Sequence, residues 1–212
     1  MTKNNHYGIL DVSITSPLSF AVELVDNYTN QKPLGTTNII MMDEPDSKPV
    51  LNKSGYWLFL KPNNTNPNHN NKTIKVISSY YFDVVQQVNF DSFDDPKYPV
   101  VSIQLIPRPS YPFPSNLTML RGMIRDVNKK PIEDAVIAVS DTDIRTRSTE
   151  KGEFVLYFID SLKEFISKEN FINHNIIRIT LKISHPNFKD KIASIEIQNR
   201  KTTSLTIILE EI

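Results

Sequence analysis

The chain repeats itself, and this internal duplication constrains its fold more than any other feature. The segments of the first copy follow one another in the same order as those of the second, at similar spacing. A repeat of this length predicts two copies of one structural unit rather than a single large core. The first copy comprises residues 20–40, 52–60, 73–90 and 100–107, and the second comprises residues 120–140, 149–158, 177–197 and 203–211.

Residue types with special backbone or packing roles recur at matching positions of the two copies. In each copy a proline is followed, at nearly the same separation, by a glycine and then by a large ring. A glycine shortly before a ring is typical of a hairpin whose second strand enters the core. Trp57 and Phe154 are therefore predicted to be buried at equivalent places. The matched structural residues are Pro33, Gly55 and Trp57 in the first copy and Pro131, Gly152 and Phe154 in the second.

Alternation of side chains predicts β-strands in both copies. Phe20, Val22 and Leu24 alternate with the residues between them, which is the period of a strand with one face on a core. The chain is long enough, at 212 residues, for two domains of ordinary size. We predict an all-β chain with one domain over residues 17–107 and a second over residues 117–212.

The second copy is longer than the first between residues 157 and 176. Ser161 and Glu164 have the spacing of a capping box, and Leu162, Phe165 and Ile166 fall on one helical face. One short helix is predicted in this insertion.

The joint between the copies, residues 108–116, is rich in proline. Its prolines predict a stiff spacer near polyproline II geometry. Pro109 and Pro112 also have the spacing of a polyproline ligand for an aromatic groove, so Pro109, Tyr111, Pro112 and Phe113 are candidate interaction residues. The alternative, which we favour, is that Tyr111 and Phe113 pack between the two domains.

The N-terminal segment, residues 1–16, contains a second candidate interaction site. Leu10, Val12 and Ile14 alternate there, so the segment is predicted either to add as a strand to a partner's sheet or to pair with its own first domain. The segment has no apolar run of signal-peptide length, and no run of membrane-spanning length occurs in the chain. Together with the absence of cysteine, this predicts a cytoplasmic protein without membrane insertion.

Charge and composition argue against several functions. The 24 basic and 24 acidic residues cancel, which disfavours nucleic acid as a partner. The histidines form no pair with metal-ligand spacing, and the five glycines form no phosphate-binding loop. We predict no catalytic residue, no cofactor and no metal site. For the acidic loops around Asp91 and Asp141 the alternatives are hard-cation binding and solvated turns, and we favour solvated turns. The four histidines are His6, His69, His174 and His185.

Residues 120–126, 130–135 and 148–154 form a pattern that resembles carboxypeptidase regulatory-like domains of the transthyretin-like group. The resemblance covers residues 117–212, and residues 17–107 are similar to a more divergent member. It implies a Greek-key, immunoglobulin-like β-sandwich in each copy, with no catalytic residues to transfer. Some relatives, the collagen-adhesin B-type domains, carry a Lys–Asn isopeptide bond, but the matching strands here lack the lysine and the asparagine. The tandem layout is also similar to proteins of phage-tail-like contractile injection systems.

Three functions from different classes remain, and the least favoured is an enzyme accessory domain that works on its own. We favour a non-enzymatic structural or adaptor protein that contacts protein partners in a larger assembly, such as a phage-tail-like contractile particle. The alternative is a carbohydrate-binding or adhesive module, for which Tyr80, Tyr81 or Tyr111 would supply the aromatic platform. Tyr80 and Tyr81 are expected to straddle a strand end, with one ring inside and one outside.

Overall fold

A computed structural model describes residues 18–60, 71–93, 99–158, 171–173 and 175–212. The regular structure of these residues is nearly all β, with 59% in strands and 2% helical, which confirms the predicted all-β fold. The one helical element among them is a 3-10 turn, η1, over Phe90–Ser92. Within the described residues no helix is long and apolar enough to cross a membrane.

The first half forms two sheets. One has the strand order β3-β4-β1-β7 and the other has the order β2-β5-β6. The strands are β1 (Leu18–Asp26), β2 (Thr37–Met41), β3 (Val50–Leu51), β4 (Tyr56–Leu60), β5 (Asn71–Ser78), β6 (Val84–Asn89) and β7 (Val100–Leu105).

The second half also forms two sheets. One has the order β11-β8-β15, with β8 and β15 parallel. In the other, β10-β9-β13 is extended by β12 and β14, which both pair with β13. The strands are β8 (Thr118–Asp126), β9 (Val136–Val139), β10 (Arg145–Arg147), β11 (Glu153–Phe158), β12 (Phe171–Asn173), β13 (Ile176–His185), β14 (Phe188–Gln198) and β15 (Thr202–Leu209).

The strand order of the two halves is the same in its central part. The order β4-β1-β7 corresponds to β11-β8-β15, and β2-β5-β6 corresponds to β9-β13-β14. The halves differ where β3 pairs with β4 but β10 pairs with β9, and β12 has no counterpart among the described residues. The duplication predicted from the sequence is therefore also present in the topology.

The strands form because their apolar side chains alternate onto a core. In β13 the alternate residues Ile177, Ile179, Leu181 and Ile183 are all buried in the core of the second half. In the first half the ring of Phe20 stacks on Phe59, with their centroids 4.5 Å apart. This pair fixes the register between β1 and β4.

The two hairpins predicted from the matched glycines are present. Gly55 and Gly152 have φ angles of 96° and 75°, and the amide of each bonds the carbonyl three residues earlier, on Asn52 and Thr149. Phe154 is buried, as predicted, but Trp57 is only partly buried. The prediction of equivalent burial is wrong for Trp57, which faces the same side of β4 as Phe59 but pairs with the short edge strand β3, where Leu51 is itself 54% exposed.

The two matched prolines lie near these turns. Pro131 forms an isolated bridge with Arg125, and its side chain lies beside Gly152. Pro33 is partly buried in the loop before β2. The predicted helix around Phe165 falls on residues 159–170, which lie outside the described part of the chain.

Residues 108–116 do not form the predicted extended polyproline segment. The amide of Tyr111 bonds the carbonyl of Arg108 at 3.0 Å, and the amide of Leu117 bonds that of Pro114 at 3.2 Å, so the segment is a succession of turns. Proline fixes φ but leaves ψ free, and the φ of a turn is the same as that of polyproline II. A series of prolines therefore does not by itself distinguish a stiff spacer from a folded loop.

Contacts divide the chain into two compact units. Unit 1 is formed by the described parts of Met1–Leu24, Ile39–Val76 and Val85–Ile103, and unit 2 by those of Val25–Asn38, Ile77–Val84 and Gln104–Ile212. The units differ from the predicted domains because parts of the first half group with the second. These parts contain Asp26 and Tyr81, which contact the proline-rich segment.

Candidate functional site

The sheet β3-β4-β1-β7 of unit 1 has apolar residues on the side that faces away from its core. Phe20 and Phe59 point to the core, so the residues that alternate with them point outwards. We call this side the outer face. Its apolar residues are Leu18, Ala21, Val50, Leu58, Leu60 and Val100.

Strand pairing brings these residues together. Leu18 pairs with Leu60 across a bulge in β1, Ala21 pairs with Leu58, and Leu58 also pairs with Val50. The amide of Ala21 bonds the carbonyl of Pro99, which places Val100 beside this row. The outer face therefore has apolar side chains on four strands, with Ala21 buried between the exposed residues of β4 and β7.

Several of these side chains are exposed to solvent. Val50 is 52% exposed, Val100 is 42% exposed, and Leu18 and Leu60 are each 39% exposed. The solvent-facing side of an antiparallel sheet is ordinarily polar. A group of exposed apolar residues is typical of a surface that contacts another molecule.

Unit 2 contains a buried carboxylate, that of Asp26 at the end of β1. Its Oδ2 accepts hydrogen bonds from the hydroxyls of Tyr81 at 2.9 Å and Tyr111 at 2.6 Å. Its Oδ1 accepts one from the amide of Tyr28 at 2.7 Å. The hydroxyl of Tyr81 in turn accepts from the amide of Leu34 at 2.9 Å. These bonds replace the water that a buried carboxylate loses.

Aromatic rings enclose the Asp26 network. The Tyr111 ring lies 4.6 Å from Phe113 and 5.8 Å from Tyr28, and Tyr28 lies 5.5 Å from Tyr157. Burial is the largest cause that raises the pKa of Tyr111 and of Tyr157, and the Asp26 carboxylate adds to it. The phenols therefore stay protonated and act as hydrogen-bond donors, which suits them to a structural role.

The structure separates the candidate interaction residues of the proline-rich segment. Tyr111 is 3% exposed and is bound to Asp26, so it is not available to a partner. Phe113 is partly buried in the same cluster, and Arg121 lies over its ring. Pro109 is partly buried, whereas Pro112 is exposed. The sequence favoured packing of these two rings between the domains, whereas all the ring contacts described for them lie within unit 2.

The remaining sequence predictions have different outcomes. Leu10, Val12 and Ile14 lie outside the described residues, so their role stays a prediction. Tyr81 is buried and Tyr80 is partly exposed, as expected for a strand end. With Tyr81 and Tyr111 both buried, the aromatic platform proposed for sugar binding does not form from these rings. In the described part of the chain no group of acidic or histidine side chains is arranged to hold a metal ion.

The outer face was missed by the sequence reasoning. Its signal was present in residues 56–60, where apolar residues occupy both phases of the strand period. A strand with one face in solvent alternates apolar and polar residues, whereas a strand that is apolar on both faces is typical of one that is covered on both sides.

No protein-family model matches the chain, and no curated protein matches it. The predicted resemblance to carboxypeptidase regulatory-like domains and the one to contractile injection systems therefore stay predictions. Several solved structures are similar to the chain at a TM-score of 0.32.

These structures have low sequence identity to the chain. They are a 3-chlorocatechol 1,2-dioxygenase from Rhodococcus opacus 1CP (10% identity, 46% of this chain), the Bacillus anthracis TIE protein (15%, 86%) and the shaft pilin SpaA from Lactobacillus rhamnosus GG (9%, 93%). The chain spans 61%, 33% and 98% of their lengths, respectively. At this level of similarity we transfer no function from them.

Proposed function

We propose that this chain is a non-catalytic β-sandwich subunit that binds other proteins in a larger assembly through its outer face. The observation that carries the proposal is the apolar surface around Val50, Leu60 and Leu18, which is exposed on adjacent strands. Removing such a surface from water is the main favourable term in protein association. A sandwich core supports the face rigidly, as an assembly contact requires.

Substitution of aspartates into the outer face tests this proposal. In the double variant V50D/L60D a partner would have to bury unpaired carboxylates, so binding is lost. Both positions are partly exposed, and the melting temperature should fall by only a few degrees. Size-exclusion chromatography of native extracts of the source cells should show the wild-type chain in a complex larger than the monomer and V50D/L60D as the monomer.

The matched control is Ile192→Asp. Ile192 lies on β14 and is 72% exposed, but it lies in unit 2 and outside the outer face. This variant should elute with the complex. A wild-type chain that elutes as a monomer, or a complex that survives V50D/L60D, would contradict the proposal.

A further inference from the structure

A groove crosses the sheet β11-β8-β15 on the side away from the core of the second half. Its volume is about 550 Å³. Strand pairing shows that the lining comes from three consecutive rows of residues, each row running across the three strands. Pro109 also lines the groove. The floor row is Phe154, Gly122 and Leu205, one wall has Arg121 and Ser204, and the other has Glu153, Met123 and Thr206.

The floor of the groove is backbone. Phe154 belongs to the core and Leu205 packs against it, so the side chains of this row point away from the groove. Gly122 makes this packing possible. A Cβ at this position would lie 2.5 Å from both the carbonyl oxygen of Leu205 and the ring of Phe154. The walls alone therefore present side chains to a ligand.

The two walls have opposite charges. The guanidinium of Arg121 donates to the carbonyl of Pro109 at 2.9 Å and lies 5.8 Å from the centre of the Phe113 ring, which holds it in place. Its other N–H groups make no hydrogen bond to a described residue. The carboxylate of Glu153 on the opposite wall likewise has no partner in the described part of the chain. Their Cα atoms are about 8 Å apart, since they lie two residues apart along the strands and on neighbouring strands.

We propose that this groove binds an extended peptide segment of a partner protein, with an acidic residue at Arg121 and a basic residue two positions away at Glu153. Residues two apart in an extended chain point to the same side and lie about 7 Å apart, which matches the separation of the two walls. The hydroxyls of Ser204 and Thr206 are suited to bond the peptide backbone. The groove lies in unit 2 and does not depend on the outer face.

The experiment is a titration of the 15N-labelled full chain, followed by NMR. The probe is an end-blocked octapeptide of threonine and valine with one aspartate and one lysine two positions apart at its centre. The amides of Gly122, Ser204 and Thr206 are expected to shift. A peptide with asparagine and glutamine in place of the charges should bind at least tenfold more weakly. Absence of shifts at these amides up to 5 mM peptide, or equal binding of the neutral peptide, would overturn the proposal.

Variants of the groove distinguish the effect of its charges on peptide binding from an effect on the fold. Glu153→Gln, which breaks no side-chain bond to a described residue, should weaken binding of the charged peptide about tenfold. Arg121→Glu should instead favour a peptide that carries two lysines. The matched control is Arg125→Gln, because Arg125 lies on the same strand but its guanidinium bonds the carbonyl of Lys129 outside the groove. Equal weakening by R125Q and E153Q would show that the effect is not local and would sink the proposal.

Discussion

At the scale of single residues, Asp26 and Asp126 occupy matching positions in the two copies but have different roles. Each ends a matching strand, is buried, and bonds amides of the turn that follows it. This shared turn chemistry is local, because an aspartate side chain can bond the amides of the residues that follow it. The bonds from Tyr81 and Tyr111 to Asp26 span 55 and 85 residues, and no local pattern predicts them.

Asp26→Asn should destabilise the protein more than Asp126→Asn. Asparagine has one oxygen and one NH₂ group where aspartate has two oxygens. In one orientation the NH₂ group faces the two tyrosine hydroxyls, and in the other the amide N–H of Tyr28 loses its acceptor. We expect a loss of about 2–4 kcal/mol for D26N and about 1 kcal/mol for D126N, where the side chain accepts from the amide of Lys130. Urea unfolding of both variants measures the difference, and equal losses would contradict the role of the tyrosines.

The stability that Tyr81 contributes should be lost at alkaline pH. Burial, and then the Asp26 carboxylate, raise the pKa of Tyr81 to about 12, while the amide of Leu34 acts in the opposite direction. The fold therefore favours the neutral phenol. Its contribution is complete below the ordinary tyrosine pKa of about 10 and disappears as the pH rises through about 12.

Comparison with Tyr81→Phe isolates this effect. The free energy of unfolding of wild type should exceed that of Y81F by about 1–2 kcal/mol at pH 8, and this difference should shrink between pH 10 and pH 12. Urea midpoints over this range provide the measurement, with tyrosinate absorbance as a second readout. A constant difference across the range would count against the network.

At the scale of elements, the hairpin at Gly152 is determined by local sequence. Gly152 has positive φ, and a Cβ there would lie 2.4 Å from the carbonyl oxygen of Ile124. Gly152→Ala should therefore lower the free energy of unfolding by about 3 kcal/mol. Gly152→Asn separates the two causes, because asparagine tolerates positive φ but keeps the Cβ. We expect a loss similar to that of G152A, and a near wild-type midpoint for G152N in thermal unfolding would refute the steric argument.

The strands and turns were predictable where alternation and turn residues are local. The predictions were wrong where packing between distant segments decides the outcome. Residues 108–116 fold into turns because Tyr111 binds Asp26. Trp57 is only partly buried because it lies next to the short edge strand β3, where Leu51 is exposed. The outer face and the groove were missed for the same reason, since each is formed by side chains from three or more strands.

At the scale of the whole molecule, the boundaries of unit 2 predict how stable fragments of the chain should be. Met119 and Val155 point away from the core of the sheet β11-β8-β15, yet both are buried. On the same side, the ring of Tyr157 contacts Phe113 at 5.1 Å and Tyr28 at 5.5 Å. A fragment of residues 117–212 lacks both of these rings.

We expect the fragment 117–212 to unfold at a clearly lower temperature than unit 2 in the full chain. A fragment of residues 104–212, which restores Phe113 and Tyr111, should recover part of the loss. Differential scanning calorimetry measures both, and amide exchange at Val155 reports on the exposed sheet. Equal melting temperatures for 117–212 and the full chain would show that the boundary predicted from the sequence is the better one.

Unit 2 is built from segments that leave the ribosome at very different times. Val25–Asn38 and Ile77–Val84 are synthesised well before β11 and β15, with which they are grouped. Tyr81 and Tyr111, which bond the carboxylate of Asp26, are made before those strands, but Tyr28 and Phe113 lack the ring of Tyr157 until β11 emerges. Completion of this unit is therefore a late event in synthesis, and a nascent chain that stalls before residue 157 presents a cluster of aromatic rings to chaperones.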